Sequence, residues 1–360
     1  MVKIKLCLVI PSLQAGGMER VMSELVKYFA ATKNLEIHLI LYGGNREIFY
    51  QVPEDIILYK PGFVFNNQWR FINTLRTLKY LRQTVKRINP GSILSFGELW
   101  NSFVMLSLIG FKYPVYISDR CSPEKKFSPI HQLLRSYFYP RSKGIIAQTD
   151  KARERYLEQF KHPNIRVIAN PIRFILGTKE DERENIVLNV GRLINSKHQD
   201  RLIKLFLELN IPRWKLVLVG YDHLKQSNFN RLQEIIENYQ GEDKVILVGK
   251  HVDVDSFYKK SKVFAFTSSS EGFPNVIGEA LSAGLPVISY DCIAGPSDLI
   301  TQGENGFLIP VFDDRKFQQQ LRFLINNEEI RKEMSENAKM SISNLSIQVI
   351  GKQYLEFILE

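Results

Sequence analysis

The chain has 360 residues, of which 44% are apolar, enough for two domains with a hydrophobic core in each. Its three cysteines (Cys7, Cys121 and Cys292) are far apart without a CxxC pair, which argues against a disulfide framework and a zinc site. The net charge is +10, and residues 1–170 carry 25 Lys and Arg against 12 Asp and Glu. The first half is therefore predicted to meet an anionic partner: lipid headgroups, a phosphorylated acceptor or nucleic acid.

The chain begins with the apolar run "KIKLCLVI", which we interpret as a buried first strand. The run is short, and the small-residue cleavage site of a secretory signal is missing. The longest apolar stretch elsewhere, "SFVMLSLIGF", is shorter than the roughly 20 residues of a membrane-spanning helix. We expect a cytoplasmic protein, with attachment to the cytoplasmic face of the membrane as an open hypothesis.

Short β-branched and apolar runs alternate with helical periodicity along the chain, which is typical of parallel α/β proteins. The strand candidates are "KIKLCLVI", "EIHLILY", "SILSFG", "PVYISD", "GIIAQT" and "RVIAN", then "NIVLNVG", "KLVLVG", "KVILVG", "VFAFTS", "PVISY" and "GFLIP". The pattern breaks in residues 170–185, where a proline turn precedes a charged stretch. We predict two Rossmann-like α/β domains, residues 1–170 and 171–343, with the C-terminal helix 344–360 joining the first.

Gly16 and Gly17 lie between the first strand and a helix, where backbone can approach a ligand closely. Their spacing does not match G-x-G-x-x-G, and no acidic residue stands at the distance that an NAD ribose requires. Hydride transfer with NAD is therefore weakly supported. The alternative to a ligand-binding role for Gly16 and Gly17 is a plain turn at a helix start.

Two segments of the first half are both basic and apolar. "RFINTLRTLKYLRQTVKRINP" holds six cations and no acid between its leucines, and "KKFSPIHQLLRSYFYPRSK" adds aromatic residues and five cations. A basic amphipathic helix binds an anionic membrane surface or an acidic partner, but a helix that covers a sheet with a solvated outer face has the same pattern. Both interpretations stay open at this stage.

Polar residues follow two further predicted strands. Asp119 and Arg120 come after "PVYIS" and either contact an acceptor or form a local salt bridge. Arg192 follows "VLNVG", and Lys197 precedes the next helix, so both cations are predicted at the carboxyl edge of a sheet. Cations fixed at that edge would favour an anionic ligand, whereas a pair of solvated charges is the alternative interpretation.

The stretch "TSSSEGFPNVIGEALSAGLPVIS", residues 267–289, predicts a strand end, a turn and a helix that starts near Pro274. The N–H groups at a helix start favour phosphate, and ionised carboxylates such as Glu271 and Glu279 accept hydrogen bonds from sugar hydroxyls. In the alternative interpretation Glu271 caps the helix and Glu279 is solvated. A glycosidase would require the two carboxyl groups about 5 Å apart across the scissile bond.

The segment "EGFPNVIGE" resembles the Glu-x7-Glu motif of retaining, nucleotide-sugar-dependent glycosyltransferases of family 4, which have the GT-B fold of two facing Rossmann-like domains. The resemblance implies that the domain of residues 1–170 binds the acceptor and that of residues 171–343 the nucleotide-sugar donor. It further implies that Glu271 contacts the donor sugar and that Glu279 holds the ribose hydroxyls. It also implies that a run of four residues presents backbone N–H groups to the donor: Phe273, Pro274, Asn275 and Val276.

Two other segments are similar to parts of this family. "GRL" followed by Lys197 matches its diphosphate-binding segment, although His198 stands where members often have glycine. "GGMER" is similar to the glycine loop that faces the donor phosphates. Near Asp119 and Arg120 the sequence lacks the histidine that many members carry at the reaction centre.

The sequence thus predicts a retaining transferase of hexosyl or N-acetylhexosaminyl groups, with a UDP-sugar as donor and a lipid-linked or saccharide acceptor, acting in polysaccharide synthesis. No cofactor and no metal are expected, and no protein nucleophile is identifiable. A nucleotide-binding oxidoreductase is one alternative. A nucleic-acid-binding protein that uses the basic half is another, but no recognition motif supports a nucleic-acid partner.

Overall fold

The structure is a computed structural model that describes residues 3–44, 46–222 and 227–360. The chain forms two compact units: Met1–Pro171 with Ile347–Glu360, called the first unit, and Ile172–Ser346, called the second unit. The predicted boundary after residue 170 lies one residue before this division. The predicted roles of the two domains in acceptor and donor binding stay predictions.

The first unit contains a seven-stranded parallel sheet with the strand order β3-β2-β1-β4-β5-β6-β7. Its strands are β1 Ile4–Ile10, β2 Leu35–Leu41, β3 Ile57–Tyr59, β4 Ser92–Phe96, β5 Val115–Ser118, β6 Gly144–Ala147 and β7 Ile165–Val167. Its helices are α1 Gly17–Ala30, α2 Arg70–Ile88, α3 Asn101–Ser107, α4 Pro129–Phe138, α5 Asp150–Phe160 and the C-terminal α13 Ile347–Ile358.

Helices cover both faces of this sheet. Residues of α2, α3, α4 and α5 form one core cluster with Cys7 and Val9 of β1 and with Ile117 of β5. On the other face α13 packs against α1, and its Phe357 contacts Tyr116 of β5 edge-on at 5.1 Å between ring centroids. Alternate residues of one strand therefore meet different helix layers, as expected for a parallel sheet buried on both faces.

The second unit contains a six-stranded parallel sheet with the order β10-β9-β8-β11-β12-β13. Its strands are β8 Ile186–Val190, β9 Lys215–Val219, β10 Val245–Gly249, β11 Val263–Phe266, β12 Val287–Tyr290 and β13 Gly306–Ile309. Its helices are α6 Gln199–Leu209, α7 Asn228–Asn238, α8 Asp255–Lys260, α9 Asn275–Ser282, α10 Pro296–Leu299, α11 Asp314–Asn326 and α12 Glu328–Ser341. Its own buried cluster includes Leu202, Leu216 and Phe317.

The predicted fold class of two parallel-sheet domains flanked by helices is confirmed. All twelve predicted strands are present, and β3 was not predicted. In the second sheet the strand order reverses at β8, which pairs with both β9 and β11. Open α/β sheets bind ligands at the carboxyl ends of the strands beside such a reversal. A ligand site is therefore expected at the loops after β8 and β11.

Across the described residues, no helix is both long and apolar enough to cross a membrane.

Candidate active site

The start of α9 lies just after the carboxyl end of β11. Pro274 is its N-cap residue, and the Pro274 side chain makes no capping hydrogen bond. The carboxylate of Glu271 pairs with Lys197, a contact that the alternative interpretation of Glu271 as a helix cap did not include. The first N–H groups of a helix lack intrahelical acceptors and stand at the positive end of its dipole, so they favour an anion.

The four residues that the resemblance assigns to donor binding differ in what their backbone can donate. Pro274 has no N–H group, and the N–H of Asn275 donates to the carbonyl of Phe273 at 3.0 Å. Backbone donation to a donor phosphate is therefore a prediction for Phe273 and Val276. Asn275 and Pro274 shape the turn that aims these groups.

Lys197 and Glu271 form an ion pair, and their side chains are only 17% and 12% exposed. The ammonium of Lys197 also lies 4.9 Å from the centre of the Phe266 ring at the end of β11. An ion pair so shielded from water is stronger than one on the surface, but both charges keep some contact with solvent. The structure thus joins a predicted phosphate-binding cation to a predicted sugar-binding carboxylate.

Backbone contacts fix the loop that carries Lys197. Thr267 donates its hydroxyl to the carbonyl of Lys197 at 2.9 Å, and the N–H of Ser269 donates to the carbonyl of Ser196 at 2.9 Å. These bonds tie the loop after β8 to the loop after β11, which carries Glu271. The serines and threonine of "TSSSEG" serve this purpose, which the sequence pattern did not reveal.

His198 adopts the left-handed backbone conformation, with φ 50° and ψ 39°. The family resemblance implies glycine at this position, and this geometry fits that residue, since glycine enters the left-handed region without strain. The His198 ring compensates through Nε2, which lies 2.8 Å from the Ser269 hydroxyl, and through an edge contact with Phe312. Burial lowers the pKa of His198, so the ring is neutral near neutral pH.

Glu279 is buried on α9, with a side chain only 9% exposed, so the interpretation as a solvated helix residue is wrong. Its Oε2 accepts a hydrogen bond from the Tyr258 hydroxyl at 3.0 Å and lies 4.0 Å from a guanidinium nitrogen of Arg173. Tyr258 itself is fully buried on α8. Sequence reasoning missed Tyr258 and Arg173, because neither belongs to a recognisable motif.

Arg192 follows β8 at the same edge of the sheet, and its side chain is exposed. Its carbonyl accepts a hydrogen bond from the Gln199 amide at 3.0 Å, which anchors the backbone at this position. The predicted contact of Arg192 with a diphosphate stays a prediction.

In the first unit, Gly16 and Gly17 mark the start of α1 at the carboxyl end of β1. Gly16 is the extended N-cap residue, and its carbonyl accepts a hydrogen bond from the Tyr50 hydroxyl at 3.2 Å. A Cβ at Gly16 would lie 2.2 Å from a carboxylate oxygen of Glu19. The turn is therefore compact, and its role toward donor phosphates stays a prediction.

Asp119 is buried and fully engaged within the first unit. Its two oxygens accept hydrogen bonds from Arg135 at 2.7 Å, from the Tyr139 hydroxyl at 2.6 Å and from Asn101 at 3.1 Å. Burial and then the charge of Asp119 raise the pKa of Tyr139, which therefore stays a hydrogen-bond donor. These contacts favour the local salt bridge, with Arg135 rather than Arg120 as the partner.

Arg120 lies across the end of the first sheet. Its guanidinium donates to the Asn170 side chain at 2.6 Å and to the Tyr354 hydroxyl of α13 at 3.2 Å, and it stacks 3.7 Å from the Phe96 ring centre. Burial lowers the pKa of Arg120, although an arginine remains charged at neutral pH. A structural role is thus established for Arg120, and acceptor binding stays a prediction.

A cavity of about 780 Å³ opens at the opposite, amino edge of the first sheet, beside Gly91, Pro114 and Lys143. None of the predicted site residues lines it. Among the described residues, no group of three or more His, Cys, Asp or Glu is placed to hold a metal ion.

Two family models match the chain and together span most of it. "Glycosyltransferase Family 4" matches residues 15–174, and "Glycosyl transferases group 1" matches residues 173–341. With two parallel-sheet units and an acid and cation cluster at a helix start, the protein is a glycosyltransferase with a GT-B type of fold. It belongs to glycosyltransferase family 4, as the Glu-x7-Glu motif predicted.

Two curated relatives align over nearly their full lengths. One is the GalNAc-alpha-(1->4)-GalNAc-alpha-(1->3)-diNAcBac-PP-undecaprenol alpha-1,4-N-acetyl-D-galactosaminyltransferase of Campylobacter jejuni, 27% identical over 99% of both chains. The other is the amylovoran biosynthesis glycosyltransferase AmsD of Erwinia amylovora, 27% identical over 94% of this chain and 95% of that protein.

Among solved structures, TarM superimposes with a TM-score of 0.83 over 100% of this chain and 99% of that chain, at 15% identity. A mutant of TarM from S. aureus, crystallised with Fondaparinux, alpha-GlcNAc-glycerol and UDP, gives a TM-score of 0.81 over the full length of both chains, at 15% identity. These likenesses show the fold. The family assignment does not favour the oxidoreductase or the nucleic-acid-binding alternative.

Proposed function

We propose that this glycosyltransferase moves a hexosyl or N-acetylhexosaminyl group from a UDP-sugar to a lipid-linked saccharide, with retention at the anomeric carbon. The observation that carries the proposal is the Lys197–Glu271 pair beside the start of α9, where the N-cap residue Pro274 makes no side-chain cap. A cation and helix N–H groups suit a diphosphate, while a carboxylate suits sugar hydroxyls.

Names of similar proteins support the substrate classes. The Campylobacter jejuni relative is named for an undecaprenol-linked acceptor and an N-acetylgalactosaminyl group, and the TarM mutant was crystallised with UDP. We further propose that the protein works at the cytoplasmic face of the membrane, where it would meet a lipid-linked acceptor.

In the proposed reaction, the bond between the anomeric carbon and the diphosphate oxygen breaks, and a bond from an acceptor hydroxyl oxygen forms on the same face of the sugar. The proton of that hydroxyl passes to the leaving diphosphate. Negative charge grows on the leaving group, and Lys197, Arg192 and the start of α9 stabilise it by fixed electrostatics. No metal ion and no cofactor are part of this proposal.

A protein nucleophile is not part of the proposal either. Cys292 follows β12, and burial, together with the charge of Glu271, raises the pKa of its thiol to about 12. A thiol with such a pKa is protonated at neutral pH and is a poor nucleophile. Lys197 keeps Glu271 occupied as an ion-pair partner, which suits a contact with sugar hydroxyls better than attack on carbon.

The test is a panel of nucleotide sugars added to the purified protein during thermal unfolding. We expect UDP-hexoses or UDP-N-acetylhexosamines to raise the unfolding temperature, since a ligand that binds only the folded state at 100 times its Kd adds about 2.7 kcal/mol. Stabilisation by NAD or by duplex DNA instead of any nucleotide sugar would contradict the proposal.

Turnover of the donor identified in this way then tests the two cations. We expect Lys197→Ala and Arg192→Ala each to lower kcat by about 10²–10³, the usual loss when one fixed donor to a developing anion is removed. Lys204→Ala, an exposed cation on the neighbouring α6, is the matched control and should leave kcat unchanged. Wild-type kcat in both site variants, or a product of inverted anomeric configuration by NMR, would refute the assignment.

A further inference from the structure

The first two turns of α2 expose apolar side chains to solvent and bury polar ones, and we call this arrangement inverted. Phe71 is 75% exposed and Leu75 is 50% exposed, whereas Asn73 and Thr77 are 3% and 4% exposed. Each pair is four residues apart and so lies on one face of the helix. The apolar face therefore points to solvent and the polar face to the interior, which is opposite to the arrangement of an ordinary sheet-covering helix.

The buried polar side chains of this helix are satisfied locally. Asn73 donates its amide to the carbonyl of Asn66 at 2.9 Å, and Thr77 donates its hydroxyl to the carbonyl of Asn73 at 2.8 Å. Because these bonds stabilise the orientation, the outward position of Phe71 and Leu75 is part of the folded structure.

Helix α4 shows the same inversion. Ile130, Leu133 and Tyr137 are 71%, 70% and 51% exposed and form one stripe through their spacing of three and four residues. Arg135 on the same helix is only 2% exposed and pairs with Asp119 at 2.7 Å. An arginine is thus buried on a ten-residue helix that exposes Ile130 and Leu133 to water, while Leu134 and Phe138 of the same helix pack on the core cluster.

Both inverted helices lie on the same face of the first sheet. Helix α3 packs against α2 and against α4, and residues of all three contribute to one core cluster. Each of these helices follows a parallel strand, so α2 and α4 begin toward the carboxyl edge of the sheet. We call Trp69, Phe71, Leu75, Ile130, Leu133 and Tyr137 the apolar patch. Each of the two helices thus exposes several large apolar side chains at helical spacing, and such groups mark an interaction surface, unlike single exposed side chains.

The positive charge around the apolar patch indicates an anionic partner. Residues 60–143 hold 14 Lys and Arg against three Asp and Glu, and neither α2 nor α4 contains an acid. Two of the three acids are already paired: Glu98 with Lys125 at 2.8 Å and Asp119 with Arg135. Exposed cations such as Arg76 and Lys79 stand on α2 directly beside the patch.

We propose that the apolar patch inserts into the interfacial layer of an anionic lipid bilayer, with the surrounding cations bound to the lipid phosphates. Large apolar side chains flanked by Lys and Arg, without Asp or Glu, are the combination that holds a helix in the plane of such an interface. This inference concerns docking of the first unit to a membrane. It rests on the proposed function, in which the acceptor is a lipid-linked saccharide.

The experiment measures binding of the full-length protein to vesicles by flotation. Vesicles of phosphatidylcholine with phosphatidylglycerol are compared with vesicles of phosphatidylcholine alone. We expect the protein to bind the anionic vesicles at least about tenfold more tightly, with binding that weakens as salt is raised. The fluorescence of Trp69, which is 63% exposed, should shift to the blue on binding and should not shift in Trp69→Phe.

Paired substitutions then locate the surface. Phe71→Ser with Leu75→Ser and Ile130→Ser with Leu133→Ser should each weaken vesicle binding by about tenfold or more, because each removes two inserted side chains. Val252→Ser is the matched control, since Val252 is 93% exposed on the second unit. Stabilisation by a UDP-sugar should be unchanged in every variant, which shows that folding and donor binding are intact.

The proposal would be overturned if the wild-type protein bound neither kind of vesicle, or if both paired variants bound as tightly as the wild type. It would also be overturned if the wild type formed a dimer that the same substitutions dissociate into monomers. The last result would assign the patch to a contact between two copies. Transfer to a soluble saccharide acceptor, measured in parallel, separates this question from the proposed function, because it requires no membrane.

Discussion

A carboxylate that is removed from water needs polar partners, and Glu279 receives one from another helix. The Tyr258 hydroxyl donates to Oε2 at 3.0 Å, and the Tyr258 ring stacks on Phe264 of β11 at 5.9 Å between centroids. The aromatic packing fixes the ring, and the hydroxyl in turn fixes the rotamer of the carboxylate. Tyr258 is thus a positioning residue for the group predicted to bind the donor ribose.

We expect Tyr258→Phe to raise KM for the donor by about tenfold with little change in kcat, because a hydrogen bond to a charged group contributes about 1.5–3 kcal/mol. Steady-state kinetics with varied donor measure the two constants separately. Tyr239→Phe, which removes a hydroxyl from an exposed tyrosine, is the control.

If Glu279→Gln raises KM while Tyr258→Phe leaves it unchanged, the hydroxyl does not position the carboxylate. A fall in kcat with unchanged KM in Tyr258→Phe would instead indicate a role in the chemical step.

The motif in residues 271–279 could be predicted from the sequence because its members are close together in the chain. The partners of that motif could not. Lys197 is 74 positions from Glu271, and Tyr258 is 21 positions from Glu279, so only the tertiary fold brings each pair into contact. The left-handed backbone of His198 was indicated in the sequence only by a histidine at a position where the family resemblance implies glycine.

Two short helices meet at the predicted donor site, and a glycine makes their approach possible. Gly295 precedes α10 with φ 101°, in the region that favours glycine. Its N–H donates to Asp298 at 2.9 Å, which closes the first turn of α10. A Cβ at Gly295 would lie 2.2 Å from Cδ of Pro274, the N-cap residue of α9. The start of α9 is therefore held from the side by the turn before α10.

We expect Gly295→Ala to raise KM for the donor about tenfold or more, because the new methyl group displaces Pro274 and with it the first turn of α9. Gly303→Ala is the matched control, since Gly303 has φ 81° and nothing within 4 Å of a built Cβ. Gly303→Ala places alanine at a positive φ, as Gly295→Ala does, but its methyl group meets no neighbouring atom. Equal donor KM values in the two variants would show that the turn before α10 does not position α9.

At the level of elements, regular strands were predictable and the exceptions have physical causes. β3 is only three residues long, and its Ile57 and Leu58 are exposed, so it lacks the buried apolar run that marks a central strand. Helix α2 was predicted as basic and amphipathic. The sequence did not reveal that Asn73 and Thr77 face the interior, because local hydrogen bonds rather than apolar periodicity determine the orientation of its first turns.

The chain passes from the first unit to the second after Pro171 and returns after Ser346, so each unit has its own core while the first is built from both ends of the chain. The returning helix α13 is tightly integrated. Ser92 of β4 donates its hydroxyl to the carbonyl of Ile358 at 2.6 Å, and Arg166 pairs with Glu360 at 2.7 Å. The sequence predicted that a C-terminal helix joins the first domain, and these contacts show which residues of the first unit hold it.

Phe357 anchors α13 in the first unit, and its removal tests whether the helix stabilises that unit alone. Its ring is fully buried, contacts Tyr116 and lies 4.6 Å beneath the guanidinium of Arg166. We expect Phe357→Ala to lower the free energy of unfolding of the first unit by about 3–5 kcal/mol, the usual cost of a large cavity. Leu359→Ala, at a residue 41% exposed, should cost far less.

The three tryptophans allow the two units to be followed separately during urea unfolding. Trp69 and Trp100 report on the first unit and Trp214 on the second, so variants that retain one group or the other give two signals. We expect Phe357→Ala to move the Trp69 and Trp100 transition to lower urea while the Trp214 transition and its shift with a UDP-sugar stay in place. Phe357→Ala removes no contact within the core of the second unit. Equal displacement of both transitions would therefore mean that the two units unfold as one cooperative body and that α13 stabilises the whole chain.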